Sequence, residues 1–174
     1  MIENFDAAFK HTLKEEGGFV NHPKDPGGIT NLGVTKRVWE EWVGKEVTEA
    51  EMRGLTPNDV KPLYQRNYWN ATRCSELPAG IDLCVFDTAV NSGPGRAIRI
   101  LQACVGTTVD GAIGPKTITA VNQFKGTALV HLIEEYCAAR QVFLISLPTF
   151  GTFGKGWTAR VSRLKEHAVK MVNL

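Results

Sequence analysis

Residues 14–35 read KEEGGFVNHPKDPGGITNLGVT. Two glutamates that end a helix-like segment are followed by a Gly-Gly pair, an aspartate, a second Gly-Gly pair and a threonine. Paired glycines stop a helix, and a Pro-Gly-Gly run imposes a tight turn. The stretch therefore predicts a helix that ends at the glutamates, then a turn-rich loop and a small hairpin in Ile-Thr-Asn-Leu-Gly-Val.

Helix phase distinguishes the two glutamates. Phe5, Phe9 and Leu13 recur every four residues and form one apolar stripe. At about 100° per residue, Glu16 falls within this stripe and Glu15 at its margin. Burial and the negative end of the helix dipole both favour the protonated form of a carboxyl group. Glu16 is therefore a candidate general acid, and the alternative is a glutamate at a frayed helix end.

Asp25 and Thr30 follow Glu16 in the same stretch. An inverting glycosidase needs an acid and a water-activating base whose carboxyl groups lie about 6.5–9.5 Å apart. A loop-borne Asp25 can span that gap, and the Thr30 hydroxyl can hold the water. The alternatives are that Asp25 only forms an Asx turn in DPGG and that Thr30 is an ordinary strand residue.

Helical periodicity dominates the rest of the chain. Thr35 and Thr48 are typical N-caps, and Pro62 predicts a kink or a break in a helix. Residues 79–91 are apolar on almost every side, which indicates a buried central helix. The predicted fold class is mainly α, with a small β element near the N-terminal motif.

Composition excludes several classes of protein. The 174 residues have a net charge of +2, 43% hydrophobic and 22% charged residues, as in ordinary soluble domains. The chain contains no long run of basic residues, so a nucleic-acid partner is not favoured.

Targeting signals are also missing from the sequence. The first residues lack a signal-peptide core, and no apolar run is long enough to span a membrane, so cytoplasmic synthesis is expected. The histidines show no metal-site spacing, so neither a metal nor a cofactor is expected.

Three cysteines, Cys84, Cys104 and Cys137, lie in apolar helical segments and are predicted to be buried thiols, although one disulfide stays possible.

Two aspartates, Asp82 and Asp87, interrupt the predicted central helix and need partners if they are buried. Arg96 and Arg99 are the candidate partners. Structural ion pairing is therefore the main interpretation, and a second catalytic carboxylate is the alternative.

Aromatic and amide side chains downstream suit a polysaccharide. Tyr64, Tyr68 and Trp69 offer ring faces for sugars, and Asn91 ends the predicted central helix where an amide can line a cleft. The alternatives are core packing for the aromatics and a helix C-cap for Asn91.

The motif EGGFVNHPKDPGGITNLGVT resembles the opening of glycoside hydrolase family 108, the lysozyme-like N-acetylmuramidases of bacteriophages and prophages. The resemblance continues through LYQRNYWNA and CVFDTAVNSGPGRAIRILQ, and then through VDGAIGPKTITAV and FGKGWTARV, which resemble a peptidoglycan-binding region. It implies a lysozyme-like fold, a muramidase region at 1–92 and a binding region at 93–174. It also implies Glu16 as the acid, with Asp25 and Thr30 as its water-positioning partners.

The implied function is hydrolysis of the β-1,4 bond between N-acetylmuramic acid and N-acetylglucosamine by a monomeric phage endolysin. The resemblance also implies a localisation. The protein is released to the wall through a holin-type pore, acts in the periplasm and lyses the host. The rivals are a lytic transglycosylase, which uses one glutamate and forms a 1,6-anhydro product, a chitinase, and a non-catalytic wall-binding protein.

Overall fold

A computed structural model describes residues 3–21 and 28–173. The helices in this part of the chain are Glu3–Glu16 (α1), Lys36–Val43 (α2), Glu49–Arg53 (α3), Pro57–Tyr64 (α4), Ile81–Ser92 (α5), Pro94–Val105 (α6), Pro115–Val121 (α7), Gly126–Ile145 (α8) and Phe150–Lys170 (α9). The strands are Val20–Asn21 (β1), Ile29–Asn31 (β2) and Val34–Thr35 (β3), paired antiparallel in the order β1-β2-β3. A mainly α fold with a small β element near the N-terminal motif is therefore confirmed.

Both predicted threonine caps are confirmed. The Thr35 hydroxyl accepts a hydrogen bond from the Val38 amide and begins α2. Thr48 begins α3 in a capping box, because its hydroxyl accepts from the Glu51 amide while the Glu51 carboxylate accepts from the Thr48 amide. These bonds satisfy amides that would otherwise lack a helical partner. The helix starts are thus set by local sequence.

The chain divides into two units. The first unit contains residues 9–67 and carries the sheet with α2, α3 and α4. In its core, the buried Asn31 amide donates a 2.8 Å hydrogen bond to the carbonyl oxygen of Met52 and so ties β2 to α3. The second unit contains residues 68–174 and the beginning of α1 through Ala8. The domain boundary after residue 92 stays a prediction.

Of the kink or break predicted at Pro62, the break does not occur. α4 continues past Pro62 to Tyr64. A π-helical segment, Gln65–Asn70, follows directly. The helix therefore changes from α-helical to π-helical hydrogen bonding three residues after the proline.

α5 is the buried central helix that its composition predicts. Every residue from Ile81 to Ala89 is buried. In the second unit, α5 packs with α6, α8 and α9. A helix covered on this many sides has no solvent face, which explains why its sequence shows little amphipathic pattern.

The predicted arginine partners of the two α5 aspartates are wrong. Asp87 binds Arg140 of α8, with 2.7 Å between Nη1 and Oδ2, and Arg160 of α9, with 3.0 Å between Nη2 and Oδ1. Burial alone would raise the pKa of Asp87, but the charges of these two arginines outweigh burial and leave the pKa below its ordinary value.

The other aspartate, Asp82, forms no ion pair among the described residues. It accepts hydrogen bonds from Asn4 and from the amides of Gly80 and Leu83. Burial raises the pKa of this carboxyl despite these bonds. Structural ion pairing thus holds for Asp87, but through residues far along the chain.

Cys84 and Cys137 are buried thiols, as predicted, with their sulfur atoms 4.0 Å apart, whereas Cys104 is only partly buried.

Within the described ranges, none of the helices has the length and apolar character that a membrane crossing requires. The same ranges contain no cluster of three or more His, Cys, Asp or Glu side chains suited to a metal ion.

Candidate active site

Glu16 is the last residue of α1. The next residue, Gly17, has a φ of +74°, the left-handed conformation with which many helices end. The chain that follows is held by Phe19, whose ring lies 4.0 Å from the guanidinium carbon of Arg53 on α3. The predicted helix stop at the glutamates is therefore confirmed, and Phe19, three residues after it, packs on α3.

The predicted hairpin faces this helix end. β2 and β3 are joined by the two-residue turn Leu32–Gly33, and both residues have positive φ, at +51° and +75°. Positive φ at both positions is the pattern of a type I′ turn, which matches the twist of a hairpin. For leucine this conformation costs on the order of 1 kcal/mol, so other contacts must hold the turn.

Tyr64 of α4 provides such a contact. Its hydroxyl donates a 2.7 Å hydrogen bond to the carbonyl oxygen of Leu32. Its ring is fully buried and packs edge-on against Phe9 of α1, with 5.3 Å between the ring centroids. Because Phe9 and Glu16 lie on the same helix, Tyr64 connects the turn to the helix that carries the candidate acid.

Gly33 brings the turn against the glutamate itself. A Cβ atom at this position would lie 2.9 Å from both Cβ and Cγ of Glu16 and would overlap the Tyr64 hydroxyl. No side chain other than a hydrogen fits there without displacing one of them. Gly33 thus provides the close approach of backbone to the Glu16 stem, whereas a Cβ atom at Gly17 or Gly18 would face open space.

Exposure alone does not separate the two glutamates, because Glu15 and Glu16 are both partly exposed. One carboxylate oxygen of Glu16, Oε1, is nevertheless buried. Together with the packing of its aliphatic part against Gly33, this gives Glu16 a defined position while part of the side chain remains open to solvent. The geometry therefore supports the choice of Glu16 that helix phase makes.

The two residues proposed to position water differ in what the structure shows. Thr30 lies in the central strand β2, opposite Val20 of β1 and Thr35 of β3, and is partly exposed. It belongs to the hairpin whose turn contacts Glu16. Asp25 lies outside the described residues, so its role and its spacing from Glu16 stay predictions.

Sugar contact, predicted for Tyr64 and Trp69, does not fit side chains with no exposed surface. The Trp69 ring packs against Phe5 and Phe86, and its indole nitrogen donates a 2.8 Å hydrogen bond to Ser75 Oγ. The packing alternative therefore accounts for both residues.

Tyr68, in the π-helical segment, is partly exposed. It is the member of the aromatic trio that keeps surface for a ligand.

Asn91 lies near the end of α5 in the second unit and is not the C-cap, which is Gly93. Its amide oxygen accepts hydrogen bonds from Arg140 Nη2 and Ser92 Oγ, each at 3.3 Å. The side chain is partly exposed. Asn91 is therefore oriented by the same arginine that binds Asp87, and its contact with sugar stays a prediction.

Sequence reasoning overlooked Gly33 and the structural role of Tyr64. The Leu-Gly pair at the hairpin turn was a local signal, because a two-residue hairpin loop needs positive φ. No local signal announces the bond between Tyr64 and Leu32, since the two residues lie 32 positions apart.

Comparison with known families defines the class of enzyme. Residues 9–93 match the family model of glycosyl hydrolase 108, and residues 96–162 match the model described as “Predicted Peptidoglycan domain”. The chain belongs to the glycosyl hydrolase 108 family. It is a glycoside hydrolase, and the two matches together make it a peptidoglycan hydrolase.

A solved structure is similar over almost the whole chain. It is described as “Structure of Brucella abortus SagA” and shares 44% sequence identity, covering 98% of this chain and 97% of that chain, with a TM-score of 0.86. Among curated proteins, none matches the chain.

Proposed function

We propose that this peptidoglycan hydrolase is an N-acetylmuramidase that cleaves the β-1,4 bond between N-acetylmuramic acid and N-acetylglucosamine, with Glu16 as the general acid. The observation that carries the proposal is the position of Glu16. Its stem rests against Gly33, one carboxylate oxygen is buried, and part of the side chain is exposed. An acid placed in this way is held in one position and can still reach a substrate.

In the proposed reaction, the Glu16 carboxyl donates its proton to the glycosidic oxygen while the bond from that oxygen to the anomeric carbon breaks. A water molecule attacks the anomeric carbon and gives a proton to the Asp25 carboxylate, and the Thr30 hydroxyl orients this water. The products are two shorter glycan strands, whose combined mass exceeds that of the substrate by one water molecule. Two carboxyl groups in these roles are the common arrangement of glycoside hydrolysis.

The mass of the product separates this reaction from its closest rival. A lytic transglycosylase uses the muramic acid 6-hydroxyl as the nucleophile, so its 1,6-anhydro product lacks the added water. Mass spectrometry of digested, peptide-linked peptidoglycan is therefore the first test. We expect hydrated products whose reducing end is muramic acid. A 1,6-anhydro end, or a reducing-end glucosamine, contradicts the proposal.

The matched pair Glu16→Gln and Glu15→Gln tests the catalytic residue. Both variants remove one carboxylate from the same helix end, so net charge changes equally. We expect Glu16→Gln to lose turnover of purified peptidoglycan while Glu15→Gln keeps it, with unchanged circular dichroism for both. Appreciable turnover by Glu16→Gln rejects the assignment, and turnover lost only in Glu15→Gln transfers the role to that residue.

Asp25→Ala tests the second carboxylate. We expect a strong loss of hydrolysis, because no other group in the proposal accepts the proton of the attacking water. Near-normal turnover by Asp25→Ala would instead favour the single-carboxylate transglycosylase reaction.

We further propose that the protein acts as a phage endolysin that reaches the wall from the cytoplasm through a holin-type pore. The support is its substrate, which lies outside the cytoplasmic membrane. Expression in a Gram-negative host with and without a co-expressed holin tests this. Lysis that requires the holin supports the proposal, and lysis without it contradicts the proposal.

A further inference from the structure

The second unit carries an open groove of about 350 Å³ between α6 and α8. Its walls include Arg96, Arg99 and Ile100 from α6, Val142 and Phe143 from α8, and Val109 from the following loop. These residues all lie within the range 96–162 that matches the peptidoglycan domain. The residues of the groove belong to the second unit, and those of the Glu16 site belong to the first unit.

The floor of the groove is apolar and exposed. Val142 is 69% exposed and Val109 is 52% exposed, and Ile145, three residues after Val142 on α8, is 54% exposed. Single exposed aliphatic side chains are common on protein surfaces, but a cluster of them beside a groove is typical of a ligand surface.

Arg96 and Arg99 have neighbours that restrict their guanidinium groups, but these neighbours are not carboxylates. The Arg96 guanidinium carbon lies 4.4 Å from the centroid of the Phe143 ring, and the Arg99 guanidinium lies beside Gly111, where an added Cβ atom would be 3.1 Å from its central carbon. Neither arginine takes part in the ion pairs of the described residues. An arginine held in one orientation by a ring or by backbone loses little freedom when it binds a carboxylate.

The Asp110 carboxylate, in the loop next to Arg99, already has other partners. Its pKa is lowered first by the hydrogen bond from the Ala112 amide and then by that from Gln102, with a smaller contribution from the charge of Arg99. The Arg99 guanidinium therefore stays available for a ligand.

We propose that this groove binds the stem peptide of peptidoglycan, with the peptide carboxylates on Arg96 and Arg99 and the alanine methyl groups on Val109 and Val142. Stem peptides combine carboxylates with alanine residues, which matches a cationic groove with an aliphatic floor. The glycan fits less well, because the Phe143 face that a sugar would need is covered by Arg96. The proposal rests on peptidoglycan being the substrate, but not on Glu16 being the acid.

Isothermal titration calorimetry of the full chain with a soluble stem pentapeptide tests the proposal. The probe is L-Ala-γ-D-Glu-meso-diaminopimelate-D-Ala-D-Ala, which has no glycosidic bond and so is not degraded. We expect binding by the wild type, and about tenfold weaker binding by Arg96→Gln or Arg99→Gln, as for the loss of one charge-assisted hydrogen bond. Lys116→Gln is the matched control, since it removes one positive charge from α7 outside the groove. We expect less than about a twofold change for it, typical of a screened surface charge.

Two further measurements sharpen the result. Val142→Ser should weaken pentapeptide binding without lowering the melting temperature, because this side chain is mostly exposed. The pentapeptide with all its carboxylates amidated should bind no better to the wild type than to Arg99→Gln.

No binding of the pentapeptide to the wild type, equal weakening by Lys116→Gln and the groove variants, or preferential binding of peptide-free glycan each overturns the proposal. The outcome is independent of catalysis. If Glu16→Gln remains active while pentapeptide binding depends on Arg96 and Arg99, the proposed acid is wrong and the groove assignment stands.

Discussion

Two carboxylates, one in each unit, are held in opposite ways. Asp87 in the second unit is fully buried and binds two guanidinium groups, those of Arg140 and Arg160. Glu16 in the first unit keeps part of its side chain exposed and rests its stem against Gly33. The arginines keep Asp87 ionised and inaccessible, whereas Glu16 is positioned by shape and can meet a substrate. Burial with fixed countercharges therefore indicates a structural role for Asp87, whereas partial exposure in a defined position fits the catalytic role proposed for Glu16.

Exchanging each carboxylate for its amide should separate the two roles most clearly. We expect Asp87→Asn to lower the free energy of unfolding by about 3–5 kcal/mol, because two buried guanidinium groups then lack their anion. Glu16→Gln should change it by less than about 1 kcal/mol, since its side chain is partly exposed. Urea unfolding followed by circular dichroism measures both values. A cost below about 1 kcal/mol for Asp87→Asn would contradict the structural role.

Gly33→Ala tests whether shape positions the acid. We expect turnover of peptidoglycan to fall about 100-fold, because the new methyl group must displace the Glu16 stem or the Tyr64 hydroxyl by a large part of an ångström. Gly44→Ala is the matched control, since Gly44 has the same φ of +75° but faces open space. An equal fall in turnover in Gly33→Ala and Gly44→Ala would show that backbone strain, rather than contact with Glu16, lowers the turnover.

Acid should weaken the second unit through Asp87. Its pKa is lower folded than unfolded, so its stabilising contribution is complete above the unfolded pKa of about 3.9 and is lost as the pH falls through the folded pKa. The difference in unfolding free energy between wild type and Asp87→Asn should therefore shrink below about pH 4, by at most about 1.4 kcal/mol per pH unit. Urea titrations from pH 6 to about pH 2 measure it. A difference that stays constant over this range would contradict the lowered pKa.

Tyr64→Phe should have the smallest effect. It removes the hydrogen bond to Leu32 and keeps the ring packed on Phe9, so we expect a loss of about 1 kcal/mol in unfolding free energy. Because the hairpin turn then loses one anchor, turnover should fall several-fold while Glu16 itself is intact. Thermal unfolding together with a peptidoglycan turnover assay checks both. Unchanged turnover would show that Gly33 alone fixes the turn.

The sequence predicts what local interactions determine. The Thr35 and Thr48 caps, the helix stop after Glu16 and the hairpin depend on residues a few positions apart, and all are confirmed. Helix phase also singles out Glu16, because one surface of a helix is set by its periodicity.

The remainder depends on contacts that link distant positions. Asp87 finds its partners 53 and 73 residues away, so the nearby Arg96 and Arg99 were the wrong choice. Aromatic residues are ambiguous for another reason. A sugar platform and a core ring have the same composition, and only burial distinguishes Trp69 from the partly exposed Tyr68.

The second arginine of the buried cluster also imposes an order on biosynthesis. Arg160 lies on α9, whereas its partner Asp87 lies on α5, so more than seventy residues must leave the ribosome before the cluster is complete. Until then the carboxylate on the central helix lacks at least one of its two cations. The first unit, whose residues 9–67 emerge earlier, has no such dependence on late residues for its internal contacts. During translation we therefore expect the sheet and the helices around Glu16 to form first, and the core around α5 to form only after α9 has been synthesised.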